Sequence, residues 1–249
     1  MMMAGLSGWV SRKAPGYMPP DRTRRYGALM EPAARFAELI GRPTDPAPLD
    51  VLASLLGAAF EPATDIDRTL AGLDEVAASC GATFESVLGT LFGSGRFAGN
   101  SADYGDPRNS YLHRVLQRGL GIPISLSVVA IEVGRRVGVP IRGVGLPGHF
   151  MVVCDGVYAD PFHGGRTCTA DSLESEWRRV TGAPGRLDPQ LTRPVPARAI
   201  VLRMLNNLKN TFVAMDDPIA LRTLARLRGA FPELVHERAE HARWLRHWN

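Results

Sequence analysis

The stretch Gly145–Gly165 carries the residue types that could do chemistry: His149, Asp160 and His163. Within it, Asp155-Gly156 is the dipeptide best suited to a two-residue type I′ hairpin turn. Counting outward from that turn pairs Cys154 with Val157, Val153 with Tyr158, Val152 with Ala159 and Met151 with Asp160. Side chains alternate along a strand, so His149 shares a face with Met151. Asp160 then lies diagonally across from it, within roughly 7–8 Å at the backbone. A carboxylate that orients an imidazole is two-thirds of a nucleophilic triad. His163, which follows Asp160-Pro161-Phe162, is a second imidazole able to line the same cleft.

The cysteines do not supply the third member. Cys154 has the wrong parity and faces away from His149, Cys168 lies beyond the hairpin, and Cys80 ends an upstream helix. Each reads as a small buried filler rather than a reactive thiol. Upstream, Asp106-Pro107-Arg108-Asn109-Ser110-Tyr111 concentrates polar groups of defined geometry. Arg108 and Asn109, with Tyr111 beside them, could hold a substrate carboxylate or amide. The alternative is structural, with Asp106 or Asn109 capping the helix that follows.

These residues need a scaffold, and the sequence pattern predicts a largely helical one. Residues 29–95 show apolar positions at helical spacing, including Phe36, Leu39 and Ile40, then Leu49 to Leu56, then Leu70, Leu73 and Val76. They read as the core faces of an N-terminal helical bundle. A loop dense in Gly, Ser, Asn and Asp, Gly93 to Asp106, precedes a short helix over Asn109–Gln117. Ile122–Val137 is the strongest helix in the chain, apolar nearly all round at its start and therefore buried. Gly138-Val139-Pro140 ends it, and Ile141–Gly145 leads as a strand into the hairpin. After Gly165 the pattern is irregular, and Pro184–Pro196 reads as a linker. Residues 197–249 return to helices over Ala199–Met215, Pro218–Arg228 and Pro232–Trp248 and suggest a helical appendage of tetratricopeptide-like form.

Composition narrows the classes. The 249 residues are 45% hydrophobic and 22% charged, with a net charge of +4, which is ordinary for a globular protein. No apolar run approaches the ~18–20 residues of a membrane span, and the N-terminus lacks the apolar stretch of a secretory signal. Residues 1–28 form a basic tail rich in Gly and Pro, expected to be poorly ordered. Three cysteines without a close pair fit a reducing, cytoplasmic setting. No zinc-finger spacing or aromatic-basic pattern supports nucleic-acid binding. His236-Glu237 with His241 puts its histidines five apart, on different helix faces, and no other cluster has metal-ligand spacing, so no metal or cofactor is expected. Gly143-x-Gly145-x-x-Gly148 matches a dinucleotide string, but a hairpin follows it where that motif needs a helix.

Several short motifs occur in order: Phe97-x-Gly99-Asn100, Asp106-Pro-Arg-Asn-Ser-Tyr-Leu112, Gly121-Ile-Pro-Ile-Ser-Leu-Ser127, Pro147-Gly-His-Phe150 and Asp160-Pro-Phe-x-Gly-Gly165. Together they resemble the SirB1 family, a branch of the transglutaminase-like superfamily. The resemblance implies an α+β, papain-like core over residues 96–183, with a central helix on a small antiparallel sheet. It also implies a Cys–His–Asp triad whose last two members map onto His149 and Asp160. The Cys does not map: counting back from Gly138-Val-Pro140 places the nucleophile position at Pro123, with Ser125 two residues on. Ser125 could act as a serine nucleophile with His149 as base and the helix N–H groups as oxyanion hole. It is equally suited to capping the helix.

The leading expectation is a thiol-less, regulatory protein that binds a peptide, amide or protein partner. A Ser125-dependent amide or ester hydrolase or acyltransferase is the alternative. A protein-interaction module built on the C-terminal helices is the third.

Overall fold

A computed structural model of the protein describes residues 31–42, 48–237 and 239. The basic tail lies outside the described residues, as does nearly all of the helix expected over Pro232–Trp248 beyond Glu237; its first residues, Pro232–Glu237, form a 3-10 turn instead. Three helices come first: α1 (Pro32–Ile40), α2 (Leu49–Phe60) and α3 (Ile66–Ala78). Asp65 caps α3 by accepting the Arg68 N–H. A short α4 (Phe84–Leu88) runs into a π-turn at Gly89–Gly93. Strands β1 (Ala98–Gly99) and β2 (Leu120–Gly121) pair in parallel and bracket a 3-10 turn (Pro107–Ser110) and α5 (Leu112–Arg118).

Asn109 thus belongs to a separate turn, not to the start of the helix expected over 109–117. Asp106 caps that turn by accepting the Arg108 N–H. Tyr111 breaks the two apart with an extended backbone, its ring stacked between Phe60 and His113.

The central helix α6 (Pro123–Val137) starts and ends where the sequence places punctuation. Pro123 occupies the first turn, Ser125 Oγ accepts the Ile122 N–H, and Gly138 stops the helix with φ 79°. Nearly every residue of α6 is buried, including Glu132 and Arg136. Their charges are absorbed by neighbours. Arg136 donates to Glu132, Asp50 and Asp74, and Arg135 to Glu132 and Asp50. The network ties α2, α3 and α6 into one unit.

The sheet runs in the order β3-β4-β5-β6, all antiparallel: β3 (Arg142–Leu146), β4 (His149–Cys154), β5 (Val157–Asp160) and β6 (Arg166–Thr169). The β4–β5 register is Cys154–Val157, Val153–Tyr158 and Val152–Ala159, the pairing counted from the sequence. Asp155 (φ 47°) and Gly156 (φ 82°) form the turn, both in the left-handed region that a type I′ turn requires. One face, with Phe150, Val152, Cys154 and Ala159, packs into the main core beside α6. The other, with Val144, Leu146, Met151, Val153 and Tyr158, packs on Leu173 and Trp177 of α7 (Ala170–Thr181). The sheet is therefore a middle layer between two helical layers.

Strand β6 and helix α7 stand where the sequence reads as irregular. β6 is an edge strand of mostly exposed polar residues, and α7 carries only Leu173 and Trp177 as its buried stripe, too little periodicity to register. The Pro184–Pro196 segment is likewise not a free linker. Leu187 is buried, Val195 N–H donates to Gly143 O, and Val144 bridges Pro194 along the open side of β3. Helices α8 (Ala197–Ala214) and α9 (Pro218–Arg228) follow, before a 3-10 turn at Pro232–Glu237. The apolar stripe of α8, from Ile200 to Phe212, is spent in the main core against α2 and α6.

Candidate functional site

Gly143 and Gly145 keep β3 thin. A Cβ on Gly143 would lie 2.9 Å from the Phe150 ring, and one on Gly145 would lie 3.0 Å from the Arg203 guanidinium. These glycines serve close packing of strand, aromatic ring and helix α8. At the end of β3 the chain turns through Pro147-Gly148, with Gly148 at φ 69°. Three carbonyls of this turn are satisfied by side chains from distant elements. Trp177 Nε1 donates to Pro147 O at 2.8 Å. Arg203 donates to Leu146 O at 2.5 Å and to His149 O at 2.7 Å, its guanidinium over the Phe150 ring at 5.4 Å. The backbone that presents His149 is clamped by both helical layers.

His149 is buried, and its Nε2 donates to Asp160 Oδ2 at 2.8 Å. His163 Nδ1 donates to the same oxygen at 2.7 Å. Asp160 Oδ1 accepts the backbone N–H groups of Phe162 (3.0 Å) and His163 (3.3 Å), which folds Pro161–His163 into a 3-10 turn. Asp160 is 0% exposed, whereas the His163 side chain is 36% exposed. One buried carboxylate therefore organises the site: one oxygen shapes the backbone, and the other holds two imidazoles. Burial opposes the charge on Asp160, but the hydrogen bonds and charges of His149 and His163 outweigh it and hold the carboxyl below the usual aspartate range.

The turn after β5 is seated by close approach to β1. A Cβ on Gly99 would come within 2.6 Å of the Phe162 ring and carbonyl, so only glycine fits. Tyr104 meets the Phe162 ring edge-on, centroids 5.9 Å apart, and Phe162 meets the His163 ring in the same way at 5.1 Å. The loop after β1 thus reaches the site through Tyr104.

Ser125 is placed elsewhere in the hydrogen-bond network. Its hydroxyl donates to Asn109 O at 2.5 Å, its oxygen accepts the Ile122 N–H at 3.0 Å, and it packs over Gly121, where a Cβ would stand 2.7 Å away. None of its hydrogen bonds goes to His149. Ser127 donates to Pro123 O within the helix. Asn109 is fully buried and holds the loop, donating to Asp103 O and accepting from Asn100.

Arg108 is half-exposed and grips the Asp106 carboxylate with its Nε. Together with Tyr111 it lines a groove of about 730 Å³ with Phe60, Phe212, Met215 and Asp217. His149, Asp160 and His163 do not line this groove. The Arg108–Tyr111 group and the histidine cluster are separate features.

The cysteines keep their protons. Burial raises the Cys154 thiol, with Asp155 adding to the effect, and burial with Glu176 and Asp160 pushes Cys168 up to about 11. Cys154 lies on the α6 side of the sheet, the parity that excludes it from His149.

Comparison with known proteins places this architecture. The profile of the transglutaminase-like superfamily matches residues 49–206. The chain belongs to the transglutaminase-like superfamily. Within it, a UPF0162 protein of Xylella fastidiosa is 44% identical over 133 residues, 51% of this chain and 47% of that protein. A UPF0162 protein of Vibrio cholerae is 29% identical over 137 residues, covering 53% and 50% of the two chains. F-box only protein 21 of Mus musculus is 33% identical over 137 residues, 50% of this chain and 21% of that protein. The chain thus spans about half the length of the bacterial relatives it matches. No solved structure matches it. Among the described residues, no helix is long and apolar enough to cross a membrane.

Sequence reasoning reached His149, Asp160 and His163 but missed Arg203, Trp177 and Tyr104. Arg203 and Trp177 act across separations of 54 and 30 residues, and only the fold brings them to the turn. The indole above a Pro-Gly turn left no local signal at all.

Proposed function

We propose that this transglutaminase-like protein is a regulatory, non-catalytic member of the SirB1 type that binds a peptide or amide at the His149–Asp160–His163 cluster. The observation that carries the reading is where the Ser125 proton goes. It is donated to Asn109 O, while the oxygen is held by the Ile122 N–H, the arrangement of a helix-capping hydroxyl rather than one handed to a base. The imidazole supports the same reading. His149 Nε2 is tied to Asp160, and among the described residues no Ser, Thr or Cys side chain hydrogen-bonds its Nδ1. A clamped, buried imidazole can accept a hydrogen bond from an amide N–H at that nitrogen. The half-exposed His163 gives the ligand an edge to approach.

The test uses two probes. A fluorophosphonate should leave the chain unlabelled. N-acetylated, C-amidated tripeptides should give saturable shifts in the ring resonances of His149 and His163. Labelling that disappears in Ser125→Ala and persists in Ser127→Ala would establish the serine-enzyme alternative instead. Ring resonances that no peptide moves would remove the amide-binding reading.

A further inference from the structure

We infer that His149, Asp160 and His163 form a binding site for a divalent transition metal of the zinc class. Three ligand-type atoms converge there: His149 Nε2, Asp160 Oδ2 and His163 Nδ1, all within 4.8 Å of one another. They come from three successive structural steps, the start of β4, the end of β5 and the 3-10 turn after it. Two imidazole nitrogens and one carboxylate oxygen are a donor set that zinc accepts, with a further position left for water or substrate.

A second observation points to a cation. Asp160 is fully buried, and a buried carboxylate is ordinarily matched by a charged partner. Its hydrogen-bond partners among the described residues are two imidazoles and two backbone N–H groups, with no guanidinium or ammonium among them. Elsewhere in the same molecule, buried Asp50 and Glu132 are matched by arginines. A dication at Asp160 would replace partners that are charged only when protonated with one that is always charged.

Two of the three ligand–ligand separations are already near those of a metal site. Metal–ligand bonds of about 2.0–2.2 Å in a tetrahedron set neighbouring ligand atoms about 3.3 Å apart. The two imidazole nitrogens now stand 2.8 and 2.7 Å from Asp160 Oδ2, so each opens by about half an ångström to admit the ion. On binding, each neutral ring changes tautomer through exchange with solvent. The Nε2 hydrogen of His149 is given up and one is taken up at Nδ1. The Nδ1 hydrogen of His163 is given up and one is taken up at Nε2, with no net release of protons. Each ring keeps its one hydrogen on the opposite nitrogen, so the two neutral imidazoles, the carboxylate and the dication leave the site with a net charge of +1. The exposed side of His163 gives an entry path, and Gly164 and Gly165, at φ 74° and 76°, let the chain turn away immediately after it. Phe162, packed on the His163 ring, shields the apolar side.

A metal on Nε2 leaves the His149 hydrogen on Nδ1, where the amide-binding reading needs an acceptor, so the two occupants compete. Peptide shifts read in chelator-treated protein and metal binding read without peptide keep the two tests distinguishable. The test is titration of the metal-stripped full chain with Zn²⁺ by calorimetry. Co²⁺ serves as a spectroscopic substitute whose visible absorption reports coordination. Saturable one-to-one binding is expected. Its affinity should fall in His163→Gln and in His149→Gln by more than the ~10–100-fold that loss of an outer-shell partner costs. His113→Gln, which alters a histidine bonded to Glu61, should leave it unchanged. Circular dichroism on each variant separates lost ligation from lost folding, and His163→Gln, half-exposed, is the variant best able to fold. Absence of saturable binding by the native chain would overturn the inference. So would binding that survives both site variants, or binding that His113→Gln removes.

Discussion

Two of the buried carboxylate clusters among the described residues have partners that differ in kind. At α6, Glu132 and Asp50 are matched by Arg135 and Arg136, cations whose charge does not vary with pH. At the sheet's end, Asp160 is matched by the imidazoles of His149 and His163, side chains of the type that also ligates metals. The Arg136 side chain is 3% exposed and gripped by acids from α2, α3 and its own helix, whereas one imidazole of the Asp160 cluster is 36% exposed. A closed set of permanent charges fixes the packing of helices. A set that can exchange protons and open at one edge can exchange ligands. Buried charge alone does not mark a functional site; the chemistry of the partner does.

That contrast can be broken in several places. The largest effect is expected from Arg136→Met, which leaves Glu132, Asp50 and Asp74 facing one another with less compensation. Loss of one member of a buried ion network costs about 3–5 kcal/mol. Urea unfolding should show that loss with the slope unchanged, and a cost below about 1 kcal/mol would mean the network behaves like a surface pair. Arg203→Met should come next. It leaves Leu146 O and His149 O without their donor, at about 1–3 kcal/mol for buried groups left unsatisfied, and should also loosen the ring of His149 as seen by its relaxation. A rigid His149 ring in that variant would show that Trp177 alone clamps the turn.

Ser125→Ala should cost about 0.5–2 kcal/mol, the range for a lost helix cap. A neutral substitution would remove the capping role assigned to it.

The pH response of Asp160 sharpens the same contrast. Its folded-state carboxyl lies below its ordinary value of 3.8. Ionised Asp160 therefore contributes stability that is fully present above the unfolded-state value and is lost as pH falls through the folded-state one. Wild-type stability should fall more steeply below about pH 4 than that of Asp160→Asn. Parallel curves would mean the two imidazoles do not favour the charged form. The smallest effect concerns Cys168, whose thiol is held up to about 11. Its alkylation should be slow at neutral pH and accelerate only in strong alkali, and rapid modification at pH 7 would contradict the environment described.

The legible parts of this protein were those with local signals. The Asp155-Gly156 turn dictated the hairpin register, and with it the approach of Asp160 to His149. The apolar run after Pro123 dictated α6, and Gly138 its end. Edge strand β6 and helix α7 were illegible because a half-exposed strand and a two-residue apolar stripe carry little periodicity. The second half of the site was hidden for a related reason. Arg203 and Trp177 reach the turn before His149 across separations of 54 and 30 residues, which no local spacing reveals. Arg108 and Asn109 drew attention by residue type, and the fold spends Asn109 on holding its own loop.

The central claim is that His149 is coupled to Asp160 and His163 rather than to Ser125. Long-range ¹H–¹⁵N spectra of the imidazole nitrogens read that coupling directly. In the metal-free chain, His149 should carry its hydrogen on Nε2 and His163 on Nδ1. Asp160→Asn should shift both rings, and Ser125→Ala should leave both where they are. A His149 ring that moves in Ser125→Ala and stays still in Asp160→Asn would contradict the account.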